Sequence, residues 1–347
     1  MSNRETIHKD LKGEIGSVDN RVADSAVASD KFQLIEGIIP WQGEHRRVFG
    51  KRPMGKMFGV INDNLAVITI NSIPGNHIIY QTREGLMMDD NLTGETSSWS
   101  VRSGITDFAT LQKIDRLVRQ LKTAGLWEKM IALYPFAGQT ALAHAQNLIS
   151  SSHTITWNGG VTHDAAGSHR TGAPAGYGDS NVNMNILNLM DVHMSCYMTG
   201  TSVSTDLMGA YDNGTAGGSI LQIEPGAVQN APTAFTVDCN LLAEGRMVGV
   251  SPVRSTSHTI LTRRSNIDAE AYSEGISFAT RVALSSNNNF SCNIYLLCRS
   301  TMNSPVGPVD PTANMSLASI GYGLTTAQAL DFYNIVQAFQ TSMGRQV

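Results

Sequence analysis

Between residues 155 and 322 the chain alternates between apolar and polar side chains. Val192, Met194, Cys196 and Met198 share one parity; His193, Ser195, Tyr197 and Thr199 share the other. A strand sends successive side chains to opposite faces, so this pattern predicts one apolar and one polar face. Phe235, Val237 and Cys239 read the same way, as do Ile276, Phe278, Val282 and Leu284, and then Cys292, Ile294, Leu296 and Cys298. Clusters of Gly, Asn, Asp, Ser and Pro break the runs at 212–218, 225–232 and 285–289. Short strands with such breaks predict an antiparallel jelly-roll sandwich over 151–347, closed by a helix over 325–343.

Upstream the period changes. Phe108, Leu111, Ile114, Leu117, Val118 and Leu121 recur every three to four residues, with Thr106 as a cap and Gly125 as a stop. A second helical piece over 126–134 is expected to end before Pro135, which makes 105–150 a helical joining segment. Its apolar stripe must lie on the sandwich or on sister subunits, so Phe108, Leu111, Ile114 and Leu121 are candidate oligomer contacts. Residues 31–104 read as a small β-rich region, with strands at 58–61 and 65–70 around Asn62-Asp63-Asn64 and more at 77–82 and 86–88. In 1–30, Leu11, Ile15, Val18 and Val22 step by four and three residues, the seam of a short coiled coil. β-Branched seam residues favour three strands and predict a homotrimer. Gly13 and Gly16 oppose a helix there, so an arm that orders only against a partner stands beside this reading. The fold class is mainly β on either view.

Composition sharpens the picture in three places. Only 16% of the 347 residues are charged, against roughly a quarter in ordinary domains, which favours a loop-rich β body with an uncharged polar surface. The net charge of −4 provides no basic field for nucleic acid. No apolar run reaches bilayer length and MSNRETIHKD lacks a signal core, so synthesis in a cytoplasm without membrane insertion is expected. The cysteines at 196, 239, 292 and 298 all share parity with apolar residues. They read as buried, reduced thiols, and with no CxxC or paired Cys/His spacing neither a metal nor another cofactor is expected.

Candidate chemistry is sparse. Asp268, Glu270 and Glu274 form the close acidic trio of the body, but a polar surface loop is the expected setting and no catalytic residue is assigned. Asp179, Asn181 and Asn183 imitate the start of a calcium loop, yet Met184 replaces its glycine; a hydrogen-bonded turn is expected. His153, His163, His169 and His193 lack metal spacing and read as hydrogen-bonders. The candidate ligand-binding residues are His193, Tyr197, Tyr295 and Arg299, at the non-core parity of their strands, where a tyrosine offers a ring with a polar tip.

The run 121–135, LKTAGLWEKMIALYP, followed by His144 with Asn147-Leu148, then Gly159-Gly160-Val161-Thr162-His163 and Gly176-Tyr177, resembles the segment joining stem and body in virion proteins of tailed bacteriophages. There the pattern is LKxxGLWxKMxALYPxxGG, HxxNL, GGxTH and GY. The end of the chain, ASIGYGLTTAQALDFYNIVQAFQTSMGRQV, is similar to that family's closing strand, GLT helix start and YxxVQxFQTxLGRxV ending. The sequence departs at 136–145, where relatives carry a second glycine. The resemblance implies a concanavalin-A-like, laminin-G-like jelly roll on a head or tail fibre, spike or decoration subunit. It also implies attachment to other virion proteins through residues 1–100 and a body displayed towards host-surface glycan. The expected protein is non-enzymatic; a polysaccharide depolymerase and a purely architectural capsid or neck protein are the alternatives.

Overall fold

The computed structural model describes the backbone of residues 38–41, 44–47, 58–62, 65–71, 76–82 and 85–88. From 92 onward it describes all but 172–175, 201–205, 213–218, 226–233, 242–245, 251–255, 283–290, 308 and 310. The chain divides into two compact units, Met1–Leu92 and Thr93–Val347. In the first, β1 (Ile38–Trp41) pairs with β2 (Glu44–Arg47). β3 (Phe58–Asn62), β4 (Leu65–Asn71), β5 (Asn76–Thr82) and β6 (Gly85–Met88) form an antiparallel meander in that order. Asn62 faces Leu65 across β3 and β4, the register expected of the hairpin. The seam residues Leu11, Ile15, Val18 and Val22 lie outside the described residues.

The second unit carries α1 (Gly94–Ser103), α2 (Phe108–Thr123), a short α3 (Ala141–Ala145) and α4 (Thr326–Ser342). Its strands begin with β7 (Met130–Tyr134), β8 (Thr156–Asn158), β9 (Val161–Asp164), β10 (Gly167–Arg170), β11 (Tyr177–Asn183) and β12 (Val192–Thr199). Next come β13 (Met208–Asp212), β14 (Ser219–Pro225), β15 (Ala234–Leu241), β16 (Arg246–Val250), β17 (His258–Ser265) and β18 (Asp268–Ser273). The last are β19 (Ile276–Arg281), β20 (Asn293–Leu296), β21 (Arg299–Thr301), β22 (Ser304–Val306) and β23 (Asn314–Gly321). The first sheet runs β19-β18-β17-β12-β23-β10-β9, with β7 also paired to β23. The second runs β16-β15-β14-β13-β20-β11-β8, with β21 parallel to β13 and β22 paired to β21. Between them lies the core, where Met194, Cys196 and Met198 of β12 share one cluster with Leu221, Ile223, Ile294, Leu296 and Ile320. This is the jelly-roll-like sandwich that the alternation predicts. All four cysteines are free and buried.

α2 is built where the 3.6-residue period places it, whereas α1 occupies the end of the stretch read as β-rich, capped by the Thr93 side chain. The N-cap of α2 is Asp107 rather than Thr106; its carboxylate accepts from the Thr110 amide at 3.0 Å. Leu111, Ile114, Leu117, Val118 and Leu121 are buried, and α2 packs against α4. Leu111, Ile114 and Leu121, expected to meet sister subunits, are therefore covered within their own chain, and Phe108 is half-buried. α4 opens with a capping box, Thr325 and Gln328 each bonding the other's backbone amide. It turns Phe332, Val336 and Phe339 inward. No helix of the described residues is long and apolar enough to cross a membrane.

Two local readings are corrected. Residues 126–134 are not a second helix: a 3₁₀ turn, Trp127–Lys129, leads into β7, whose residues 132–134 pair with Ser319, Ala318 and their neighbour Ile320 in β23. Ala132 and Tyr134 join the core while Leu133 is buried on the opposite side. A strand covered on both faces is apolar at nearly every position, and over so short a run it cannot be told from a helix. Ile276 and Val282, placed in the core by parity, are 70% and 73% exposed. β19 is the edge of the first sheet, where the sandwich no longer covers either face fully.

Phe332 is fully buried against the imidazoles of His193 and His258, at ring centroid distances of 6.0 and 5.3 Å. Phe332→Ala is expected to destabilise the second unit by about 3–5 kcal/mol, read as a lower urea midpoint with an unchanged m-value.

Candidate functional site

The polar parity of β12 does not meet solvent. His193, Ser195 and Tyr197 are fully buried, because α4 lies across the outer face of the first sheet. There the side chains bond one another. His193 Nδ1 donates to the Tyr322 carbonyl at 2.6 Å, and its Nε2 accepts from Ser319 Oγ at 3.1 Å. Ser319 Oγ contacts Ser195 Oγ at 2.7 Å, which meets His258 Nε2 at 3.3 Å. Tyr197 donates its hydroxyl proton to Gln337 of α4 at 2.9 Å and accepts from the Val347 amide at 3.0 Å. His193 and Tyr197, proposed from parity as ligand binders, are thus the polar seam between sheet and helix. The sequence shows that the face is polar but not that a helix 130 residues later covers it.

Tyr295 and Arg299 lie on the face of the second sheet away from the core, where Tyr295 is itself buried, at 4% exposure, and Arg299 is half-buried. Asp179 of β11 stands opposite Tyr295 of β20, and Asn183 opposite Asn293. The rings of Tyr177 and Tyr295 stack at 4.7 Å with a 24° angle, and the Tyr295 hydroxyl donates to the Asn303 carbonyl at 2.9 Å. Asn293 donates to Asp179 Oδ2 at 3.1 Å and accepts from Asn183 at 3.0 Å. Arg299 donates to Gln222 Oε1 at 2.8 Å and Asp206 Oδ1 at 3.4 Å, with its guanidinium 5.4 Å from the Tyr211 ring centre. Tyr177, part-exposed over the buried Tyr295 ring and edged by a carboxylate and two carboxamides, offers an apolar surface beside paired donors and acceptors, the chemistry a sugar ring requires. Four candidates read from the sequence therefore divide between the outer faces of opposite sheets. Tyr177, Asn183 and Asn293 complete the site around Tyr295; the alternation of Tyr177, Asp179 and Asn183 with buried Gly178, Ser180 and Val182 is the signal that marks them.

The remaining candidates resolve as structure. Asn181 sits at φ 55°, with its amide bonded to Asp179 Oδ1 at 2.8 Å, so the calcium-like run is a hydrogen-bonded irregularity in β11. Asp268 and Glu270 are in strand β18 rather than a surface loop, and Glu274 is in the following turn at φ 52°. Arg264 pairs with both carboxylates, and Glu270 Oε2 also accepts from Tyr272 and from Thr326 of α4. Burial would raise the Glu270 pKa, but hydrogen bonds from Tyr272, Ser277 and Thr326 outweigh it and hold the carboxyl below its usual range. An ionised carboxylate tied to four donors locks α4 to the sheet and is not a proton donor. Among the described residues no group of three or more His, Cys, Asp or Glu is placed to hold a metal ion.

The motif residues quoted for the resemblance converge at one end of the sandwich. Asn147 accepts from the Leu133 and Ile149 amides at 3.0 Å and donates to the Ser152 carbonyl at 3.0 Å, tying β7 to the loop before β8. Arg345, nearly buried, donates to the Phe136 and Pro135 carbonyls at 2.8 and 3.2 Å, pinning the chain's last residues to a turn in which Phe136 has φ 43°. A Cβ on Gly176 would lie 2.1 Å from the Gly160 carbonyl oxygen, so the close approach of these segments requires glycine.

No family model and no curated protein matches the sequence. Among solved structures the chain is similar to a Trypanosoma rangeli sialidase mutant displaying trans-sialidase activity, at 11% identity and a TM-score of 0.44, covering 83% of this chain and 46% of that one. It is similar to a botulinum neurotoxin type C whose cell entry is described as dependent on two ganglioside molecules, at 10% identity and TM-score 0.41, covering 62% and 53%. A third is domain 4 of a GH43 extracellular arabinanase from Geobacillus stearothermophilus in complex with arabinotriose, at 13% identity and TM-score 0.31, covering 59% and 98%. The chain thus spans about half the length of the sialidase and the toxin. None of these likenesses carries anything about a phage origin. They do overturn one expectation: several of the similar structures are sialidases, which are enzymes, so the exclusion of catalysis read from the sequence is withdrawn.

The buried histidines give the fold a pH dependence. Burial lowers the pKa of His193 to about 4 from 6.5, and that of His258 to about 3, with the neighbouring His193 adding to the latter. Below pH 6.5 the unfolded chain therefore binds more protons than the native one. Stability is expected to be complete above that pH and to fall as the pH drops towards 4, measured as urea midpoints across that window. The dependence is expected to be shallower in His258→Gln.

Proposed function

We propose that the chain is a tailed-bacteriophage virion protein, a fibre, spike or decoration subunit, which engages host-surface glycan through the outer face of the second sheet. The quoted motifs support the virion assignment. The observation that carries the glycan assignment is the Tyr177–Tyr295 stack edged by Asp179, Asn183 and Asn293. With α4 sealing the first sheet, the second is the face left to meet a ligand. Residues 1–100 attach the subunit to other virion proteins, and the Leu11–Val22 seam assembles a homotrimer. Each face binds weakly, and many copies on one particle raise the effective concentration until attachment holds.

The full chain on a bacterial glycan array is expected to bind a defined subset of glycans. Tyr177→Ala, folded by circular dichroism, is expected to weaken binding about fivefold, the loss of an aromatic contact of about 1 kcal/mol. An array silent for the folded wild type removes the glycan assignment. Multi-angle light scattering is expected to give three times the chain mass, and a stable monomer at micromolar concentration removes the trimer.

A further inference from the structure

The strands that frame Tyr177 carry a charge pattern that narrows what the face can hold. β8 (TWN), β11 (YGDSNVN) and β20 (NIYL) contain no lysine or arginine, and their one charged side chain is Asp179. Asp179 Oδ1 accepts from the Asn181 amide at 2.8 Å and Oδ2 from Asn293 Nδ2 at 3.1 Å, both neutral donors. Among the described residues no cation pairs with this carboxylate. Its field reaches the ring beside it: burial first, and then the Asp179 charge, raise the pKa of the Tyr295 phenol.

The arginine that follows β20 is committed elsewhere. Arg299 donates to Gln222 Oε1, to Thr301 Oγ1 and to the buried Asp206 carboxylate, and it lies against the Tyr211 ring. Turning it towards a ligand carboxylate would take a cation away from Asp206, which is 3% exposed, and breaking a buried ion pair is strongly destabilising. The groups left to meet a ligand are neutral. Asn158 stands directly opposite Tyr177 across β8 and β11, and Thr156 opposite Asp179. Asn158 Nδ2 donates to the Thr156 carbonyl at 3.0 Å, while among the described residues neither Asn158 Oδ1 nor the Tyr177 hydroxyl has a hydrogen-bond partner. The exposed Thr156 hydroxyl accepts from Asn181 at 3.0 Å and keeps its own proton to donate. A carboxamide oxygen, a phenol and a hydroxyl around a part-exposed ring match the uncharged hydroxyls of a sugar.

Resting on the glycan reading above, we propose that this face takes neutral hexose units and rejects their carboxylate-bearing counterparts, the hexuronates, with Asp179 as the group that sets the selection. A ligand carboxylate placed over Tyr177 meets a like charge on the same strand and no cation to offset it. Repulsion of this kind in a partly desolvated site costs roughly tenfold in affinity.

The test places matched pairs on the glycan array, glucose- against glucuronate-terminated and galactose- against galacturonate-terminated oligosaccharides, which differ only at C6. With full-length protein the bound glycans are expected to be neutral at the terminal sugar, and the uronate of each pair to bind about tenfold more weakly. Raising sodium chloride from about 0.05 to about 0.5 M is expected to shrink that gap to about threefold, because salt screens exposed charges. Asp179→Asn, folded by circular dichroism, is expected to close it at low salt while leaving neutral binding within about twofold. Acidic glycans that bind wild type as well as the neutral ones overturn the selection and leave the glycan reading standing. A gap that resists salt overturns it as well, since the cause is then steric, and the salt series decides alone if Asp179→Asn does not fold. An array silent towards every glycan removes the glycan reading itself and the selection with it.

Discussion

The pairing of β12 with β23 is the constraint on which the second unit depends. Seven of eight residues of β12 and seven of eight of β23 are buried, so neither face of the central ladder reaches water. One face joins the methionine- and cysteine-rich core and needs only apolar packing. The other carries His193, Ser195, Tyr197, Ser316 and Ser319, and a buried polar group without a partner costs about 1–3 kcal/mol. The chain meets that demand by bonding these side chains to each other and to α4, which reaches them through Gln337 and Gln340.

This arrangement separates the two outer surfaces by role. The first sheet is committed to the helix layer: Glu270, Arg264 and Thr326 lock the start of α4, while Tyr197 meets the end of the chain. The second sheet keeps its polar parity on the outside, where Tyr177 and Tyr295 stack and Arg299 is held by Gln222 and Asp206. The side chains on this face are held in place by their neighbours, so little ordering remains for a ligand to impose.

The motif residues that carry the resemblance are largely builders of the frame. Asn147 spends its carboxamide on backbone groups of β7 and the loop that follows, and Arg345 spends its guanidinium on the strained turn at Phe136. Residues separated by some 200 positions thereby close one end of the sandwich.

Much of the fold was legible in the sequence because it depends on period. Alternation located β12, β15 and β20, the 3.6-residue repeat located α2, and parity placed all four thiols inside. These follow from geometry local to a strand or a helix. What lay beyond the sequence was which face of each sheet is covered. His193 and Tyr295 carry the same parity signal and both are buried, one beneath α4 and the other beneath the part-exposed ring of Tyr177. β7 read as a helix because burial on both faces erases alternation, and Ile276 read as core because a strand does not announce that it is an edge. A residue's neighbours along the chain fix the direction of its side chain; only the packing of distant segments decides what that side chain meets.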